Sequence, residues 1–525
     1  MSTLSRRQFL VRGGTVAAAI ASGGALAACG SSTTTPKSTG SSTKLGGILQ
    51  AGVSAAPSNL DPDVFEGGEG TYFFGNVFER LYQDNLAGVV VPWLATSNSI
   101  SSDGRTYTFD LRPDVYFHDG SHMTADDVVF SFERFIKPTS PDGFLLASNY
   151  VGAEALSPTR VAVHVKEFDA AFIAFGGYTY ILPKAYITRV GGAKFATQPV
   201  GTGPFAFGGQ VINSYYNLDR FSKYWGPKPG FSSVKMNIIS SDSTRVSELE
   251  AGQVALISQV PPNSVAALKG TSGLSVQSVS DGDAMWIAIN TLKHDVPWLK
   301  TDVRLAMAQA IDNEAILKAI AFGQGQLYAG VLPSEPGFAQ SGLKQLPYDP
   351  SKAKALLAGA GYPNGFDITF ATPVNGRVPY SEQIAEAIGG YWGAVGIKTK
   401  VTVQSYDQWI KSTSPGTPFD SWFVVFGALA PDPQFRLSAS LTTGGPISAV
   451  ADSHLDSLIN AVTTSRSPAA REKDIDAAFA YAMAQQAYEI PLFEAQETYA
   501  YKESVLSWTP WVGQSAAILQ NITPA

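Results

Sequence analysis

Asp103 to Phe135 reads DGRTYTFDLRPDVYFHDGSHMTADDVVFSFERF. Tyr107, Phe109 and Leu111 alternate with Thr106, Thr108 and Asp110, the period of a strand buried on one face. Arg112-Pro113-Asp114 turns the chain, because proline fixes φ and aspartate bonds the backbone after it. Val115-Tyr116-Phe117 is predicted as a second short strand, and Asp119-Gly120 as a turn in which glycine takes a positive φ. Thr124 stands where an N-cap belongs, and Asp127 answers it three residues later, as in a capping box. Val128, Val129, Phe132 and Phe135 recur at helical spacing, so this helix packs on the strands. Strand, turn, strand, turn and helix in one run define a scaffold, and what the protein binds must be read elsewhere.

The 525 residues exceed one ordinary domain and suit two or three. With 45% hydrophobic and 15% charged residues the chain is globular, with ample core. A formal net charge of -7 offers no basic face to nucleic acid. The 29 Phe, 21 Tyr and 9 Trp fill large cores and leave a second reading open, in which some line an apolar binding cleft. The single cysteine, Cys29, rules out an internal disulfide and a cysteine-rich metal site.

Residues 1–28 read as an export signal rather than as part of the fold. Ser5-Arg6-Arg7-Gln8-Phe9-Leu10 matches the twin-arginine pattern, and Val16 to Ile20 opens an alanine-rich apolar stretch too short and glycine-broken to span a bilayer. Leu26-Ala27-Ala28-Cys29 resembles the lipobox of bacterial lipoproteins, which implies cleavage before Cys29 and a lipid on its sulfur. Residues 29–44, Ser/Thr-rich from Ser31 to Lys44, cannot bury enough surface to order themselves and are expected to be a flexible tether. Lipid, tether and large body together predict a protein held on the extracytoplasmic face of a bacterial cell membrane.

The folded chain begins near Leu45, with a strand entered through Gly46-Gly47 and an extended loop at Ala55 to Pro62. A helix is predicted over Phe74–Leu81, strands over Val161–Val165 and Val234–Ile239, and a helix over Ser243–Glu250. Pro199 to Phe205 is a glycine-punctuated turn that lacks the third glycine and following helix of a nucleotide loop. The character changes near Asp283. Met285 to Asn290 is an apolar strand and Val303 to Phe322 a long amphipathic helix. Asp349 to Ala360 is a helix with Pro350 in its first turn and Gly361 past its end. Strands at Phe366–Ala371, Ile397–Val403 and Phe419–Val425 alternate with helices at Tyr380–Trp392, Leu455–Thr464 and Ala469–Gln486, the pattern of an α/β lobe.

No catalytic signature appears. The five histidines, His118, His122, His164, His294 and His454, form no His-Glu-x-x-His pair, and there is no Gly-x-Ser-x-Gly elbow. His118 and His122 are four apart, but the Asp119-Gly120 turn denies them a common helix face. The reading is of a protein that is not an enzyme and has no cofactor or metal.

Taken together, these stretches resemble the extracytoplasmic solute-binding proteins of ATP-binding-cassette importers, family 5, the group of dipeptide, oligopeptide and nickel receptors. The resemblance is carried by Gly46-Gly47 with Leu60-Asp61-Pro62, by Val77-Phe78-Glu79-Arg80-Leu81, and by the whole of Asp103 to Arg134. Gly201-Thr202-Gly203-Pro204-Phe205, Val303-Arg304-Leu305-Ala306 with Ala310-Ile311-Asp312, and Tyr348-Asp349-Pro350 with Ala353-Lys354-Ala355-Leu356-Leu357 and Ala360-Gly361-Tyr362 add to it, as does Trp392 with Val395-Gly396-Ile397. The family resemblance implies a two-lobed periplasmic-binding-protein fold, class II of the large peptide-receptor type, with mixed sheets and a hinge crossed twice. It places lobe I at 45–285 with a returning strip at 493–525, and lobe II at 286–492. Ligand contacts on both lobes then stabilise the closed form over the open one, and the closed shape docks on permease subunits. The implied partners are a peptide or other small solute, the permease and, through the lipid, the membrane, with no nucleic acid and a monomeric body. A sensory or chaperone-like surface protein on the same fold is the alternative, and a secreted hydrolase is disfavoured by the missing nucleophile.

In dipeptide receptors of this family an aspartate holds the ligand's α-ammonium. The matching run here is Phe426-Gly427-Ala428-Leu429-Ala430-Pro431-Asp432-Pro433, which places Leu429 at that position, or Ala428 after a one-residue slip. Neither pairs an ammonium, and burying an unpaired ion costs several kcal/mol, so a free peptide N-terminus is disfavoured unless Glu66 or Glu69 reaches in. Arg377 with Pro379-Tyr380 resembles the segment that contacts the ligand carboxylate, and Arg377 is suited to hold one bidentately. Trp286, Trp422 and Phe426 are candidate apolar walls, with a core role the alternative for the tryptophans. Asn290 at the end of its strand and Glu69 with Thr71 on the first-lobe loop complete the candidate ligand set.

Overall fold

The computed structural model describes residues 45–64, 70–137, 140, 143–177, 179–335, 338, 342–374, 380–412, 416–427, 432–513 and 518–525. In chain order the strands begin with β1 (Gly46–Val53), β2 (Tyr82–Asp84), β3 (Val90–Pro92), β4 (Ala95–Ile100), β5 (Thr106–Leu111), β6 (Tyr150–Ser157) and β7 (Arg160–Val165). They continue as β8 (Phe205–Val211), β9 (Tyr215–Arg220), β10 (Phe231–Ile238), β11 (Leu256–Ile257), β12 (Leu274–Ile289) and β13 (Gly325–Leu327). The last are β14 (Asp367–Pro373), β15 (Lys398–Gln404), β16 (Ser421–Gly427), β17 (Glu489–Lys502), β18 (Leu506–Ser507) and β19 (Thr523–Pro524).

The decisive stretch folds largely as its pattern dictates. β5 buries Tyr107, Phe109 and Leu111 and leaves its threonines and Asp110 half-exposed. Thr124 caps the helix Ala125–Phe135 in a reciprocal capping box with Asp127. The other oxygen of Asp127 accepts Lys184 N at 3.0 Å, tying the helix start to a neighbouring segment. The predicted strand at Val115–Phe117 is corrected to a single bridge between Tyr116 and His122. The Asp119-Gly120 turn reverses the chain so soon that one residue pair fits, while Val115 and Phe117 still bury into the core.

Two helix predictions are also corrected. The helix expected over Phe74–Leu81 is Thr71–Val77. Phe78 is extended because it and Leu81 serve different cores. Gly201 and Gly203 lie against this strip, where a Cβ on Gly201 would meet Val77 O at 2.1 Å. That close approach is why the motif carries glycines. The long helix over Val303–Phe322 is two helices, Thr301–Gln309 and Asn313–Ala319, with Asp312 breaking the run and accepting Ala315 N at 2.9 Å.

Eleven strands form one mixed sheet in the order β15-β14-β16-β12-β17-β11-β1-β10-β9-β8, with β13 paired to β17. β1 runs parallel to β10 and β11, and β14 parallel to β15 and β16, whereas β12 is antiparallel to β16 and β17. β4-β5-β7-β6 form a separate antiparallel sheet whose core includes Val128 and Phe132 of the capped helix. β12 and β17 run through two sets of cores. Their Ile257-side halves pack with β1, β10 and the helix Pro262–Lys269. Met285, Ile287, Ile490 and Leu492 instead pack with Ile384, Ile388 and Trp392 of the helix Ser381–Ala394.

Candidate ligand-binding cleft

The passage between the two sets of cores is marked in the register of β12 on β17. Pairing is regular from Leu274↔Lys502 to Ser280↔Gln496, slips before Ala284↔Glu494 and slips again before Trp286↔Pro491. Gly282, at φ +86°, sits in the first slip. Carboxylates gather at this point. Glu494 is wholly buried and accepts Ser334 N at 3.1 Å, and Glu497 accepts Gln259 N at 2.6 Å. Burial pushes both carboxyls up to about 7. Asp281 is pushed well up by burial and then by the neighbouring charge of Asp283.

The β12–β16 part of the sheet carries three of the predicted aromatics. Ala284↔Phe426, Trp286↔Val424 and Ala288↔Trp422 are cross-strand neighbours, so Trp286, Phe426 and Trp422 share one side by the alternation of β12 and β16. Trp286 and Phe426 meet edge to face at 6.3 Å. Trp286 and Trp422 are each 1% exposed, inside a core with Tyr328, Leu332 and Ala449, which is the core alternative left open for them. Phe426 is half-buried and stacks on Phe435 at 4.9 Å.

Asn290 is buried and its amide is engaged: Nδ2 donates to Phe419 O at 3.0 Å and Oδ1 accepts Leu292 N at 3.2 Å. It closes the strand end rather than facing open space. Tyr380 precedes the Ser381–Ala394 helix at φ 60°, half-buried against the core that holds Ile384, Ile388 and Trp392. Burial raises its hydroxyl pKa, and so does the charge of Asp242 in the helix Asp242–Ala251. Thr71 opens the helix Thr71–Val77. Arg377, Leu429, Glu69 and Cys29 lie outside the described residues, as do Glu66 and Ala428.

A second group of contacts, which sequence spacing gave no means of finding, joins the four-stranded layer to the segments at 432–436 and 462–471. Gln434 Nε2 donates to Asp169 Oδ1 at 2.8 Å. Arg471 forks onto Asp432 at 2.9 and 2.8 Å and holds Gln434 Oε1 at 2.9 Å. Arg466 donates to the carbonyls of Ser102 and Asp103 at 3.1 and 3.0 Å and lies over the Phe168 ring. Ala170 N donates to Thr463 O at 2.8 Å, and Phe435 packs with Phe175 in the core under β5 and β7.

Among the described residues no three His, Cys, Asp or Glu side chains gather to hold a metal, and no helix is long and apolar enough to cross a membrane. His118 is bound on both ring nitrogens, to Gly203 O at 3.0 Å and Gly201 N at 3.2 Å. Burial holds its pKa down at about 4.

Two lobes strung on a pair of shared strands define a periplasmic-binding-protein fold. The chain belongs to the bacterial extracellular solute-binding proteins, family 5, whose middle-region model matches residues 89–447. It is 32% identical over 392 residues to di/tripeptide-binding protein 1 of Pseudomonas aeruginosa (strain UCBPP-PA14), covering 69% of this chain and 72% of that protein. It is 28% identical over 391 residues to heme-binding protein A of Haemophilus influenzae, covering 69% and 71%. The periplasmic binding protein DppA of Helicobacter pylori, solved with the peptide STSA, superposes with a TM-score of 0.77 at 27% identity, covering 92% of this chain and 98% of that one. The chain is therefore a substrate-binding protein of the peptide-importer family and not an enzyme.

Proposed function

We propose that this protein is the lipid-anchored receptor of an ATP-binding-cassette importer, capturing a short peptide or a similar small organic solute between its lobes and delivering it to permease subunits. The observation that carries the reading is the two-lobed body whose lobes share β12 and β17, in a chain 32% identical to a di/tripeptide-binding protein. Lobe I comprises 45–285 and the returning strip 493–525, and lobe II comprises 286–492. The register slips between Ser280 and Trp286 support the boundary.

Arg377 holds an anionic group of the solute, and Tyr380, Phe426, Glu69 and Thr71 border the same cleft. Leu429 in place of an ammonium-binding aspartate favours a solute without a free amine, such as a blocked or cyclic peptide. Native mass spectrometry of the purified protein identifies what it carries. A thermal-shift comparison of free and N-acetylated tripeptides then tests the preference. Strong stabilisation by free tripeptides, unchanged in Leu429→Asp, overturns it. The lipid on Cys29 holds the body at the extracytoplasmic face of the cell membrane, and a Cys29→Ala protein that still partitions with membranes refutes that anchor.

A further inference from the structure

The contacts between the four-stranded layer and the second lobe have the form of a prepared catch. Gln434 is oriented entirely from its own side. Arg471 holds its Oε1, and its backbone N donates to Asp432 Oδ1 at 3.0 Å. Arg471 in turn is fixed by Asp432 and by Val462 O at 3.2 Å. Asp169 is oriented from the other side. Its Oδ1 accepts Ala171 N at 2.9 Å, and its backbone is tied to the Tyr107 hydroxyl, which donates to Asp169 O at 2.8 Å. The bond between Gln434 and Asp169 therefore joins two side chains already held in place, so little rotamer freedom is lost when it forms. Arg466 adds a cationic donor to two first-lobe carbonyls from the loop that follows the helix Ser453–Thr464.

We propose that Gln434 and Arg466 are positioning residues for solute capture: a solute-independent latch that sets how much of the protein is closed, and so scales its affinity for every solute. Neither residue needs to touch the solute. Affinity follows because the apparent dissociation constant is the intrinsic one divided by the binding-competent fraction. The latch rests on the receptor reading only for the motion of the lobes, and its test is independent of any solute.

In the full chain, with Cys29→Ala, spin labels are placed through Val151→Cys and Asn460→Cys. Both positions are exposed, one on β6 and one on the Ser453–Thr464 helix. Gln434→Glu keeps the bond from Arg471 and sets a carboxylate against Asp169. The closed-distance population is expected to fall about tenfold without solute. Asp169→Asn combined with Gln434→Glu restores a donor and is expected to recover part of the closed population, the rest being lost because the oxygen that met Gln434 also accepts Ala171 N. Arg466→Ala, at an exposed position, is expected to open the protein as well, and it decides the matter if Gln434→Glu does not fold. Wild-type distances in folded Arg466→Ala and folded Gln434→Glu overturn the latch. With Ala-Ala-Ala as probe, apparent affinity is expected to drop by the same factor in each opened variant. A wild-type protein that ignores this peptide weakens the peptide reading and leaves the distance result standing.

Discussion

Arg134 stands between Asp61 and Asp63, donating to Asp61 Oδ1 at 2.8 Å and also bonding Asp63. The capped helix of the decisive stretch is thereby pinned to the loop that leaves β1. Asp61 and Asp63 are nearly buried, and burial pushes the Asp63 carboxyl up to about 7, with the Arg134 charge opposing. Arg134→Ala leaves two buried carboxyls without their cation and is expected to destabilise the fold by ~3–5 kcal/mol. Arg134→Lys keeps the charge but not the fork, and should lie between. Urea unfolding decides, and a loss within ~1 kcal/mol for the alanine variant refutes the role.

Glu489 and Glu494, in the strand shared by the lobes, are both pushed up to about 7, chiefly by burial. A carboxyl raised in the folded state binds its proton more tightly there than in the unfolded chain. Its contribution to stability is full below the ordinary value near 4.5 and is lost as pH rises through about 7. That interval corresponds to ~3 kcal/mol per group. Melting temperature should fall between pH 5 and pH 8, and Glu489→Gln should flatten the fall. An equally steep profile in that variant contradicts the assignment.

Asp127 bonds Thr124 N and Thr124 Oγ1 with one oxygen and Lys184 N with the other. Thr124→Ala should cost ~1 kcal/mol, the usual loss of an N-cap. Asp127→Ala also orphans the Lys184 amide and should cost ~1–3 kcal/mol more. Equal losses in the two variants would show that the link to Lys184 contributes nothing.

Trp422 and Phe426 are four residues apart on β16 and share one side of the sheet, yet one is enclosed and the other half-buried. Trp422→Ala should lose ~3–5 kcal/mol by leaving a cavity. Phe426→Ala should lose ~1–2 kcal/mol, mainly its stack on Phe435. Phe426→Ala is also expected to weaken solute retention in native mass spectra. Retention at the wild-type level removes Phe426 from the cleft.

Local pattern carried much of this fold. The alternation in β5, the capping box at Thr124 and Asp127, and the helix Pro350–Gly359, with proline in its first turn, all stand where their spacing put them. What failed was length. β12 runs from Leu274 although only its apolar end, from Met285, read as a strand, because its first half is mixed in polarity and half-exposed. A helical period also continued through Ala310 and Ile311, hiding the break that Asp312 imposes. The site was less legible still. Gln434 and Asp169 are 265 positions apart, and no periodicity or motif joins them.

Because β12 and β17 are common to both lobes, the central ladder pairs Leu274 with Lys502 and Ala288 with Glu489. These partners are separated by roughly two hundred residues or more, a high contact order that slows folding. The strip from Glu489 to Lys502 is thus a keystone laid late, with only β18 and β19 after it among the described strands. A nascent chain still on the ribosome holds two unfinished half-sheets with open edges until that strip emerges, and a truncation before it would deprive both lobes at once.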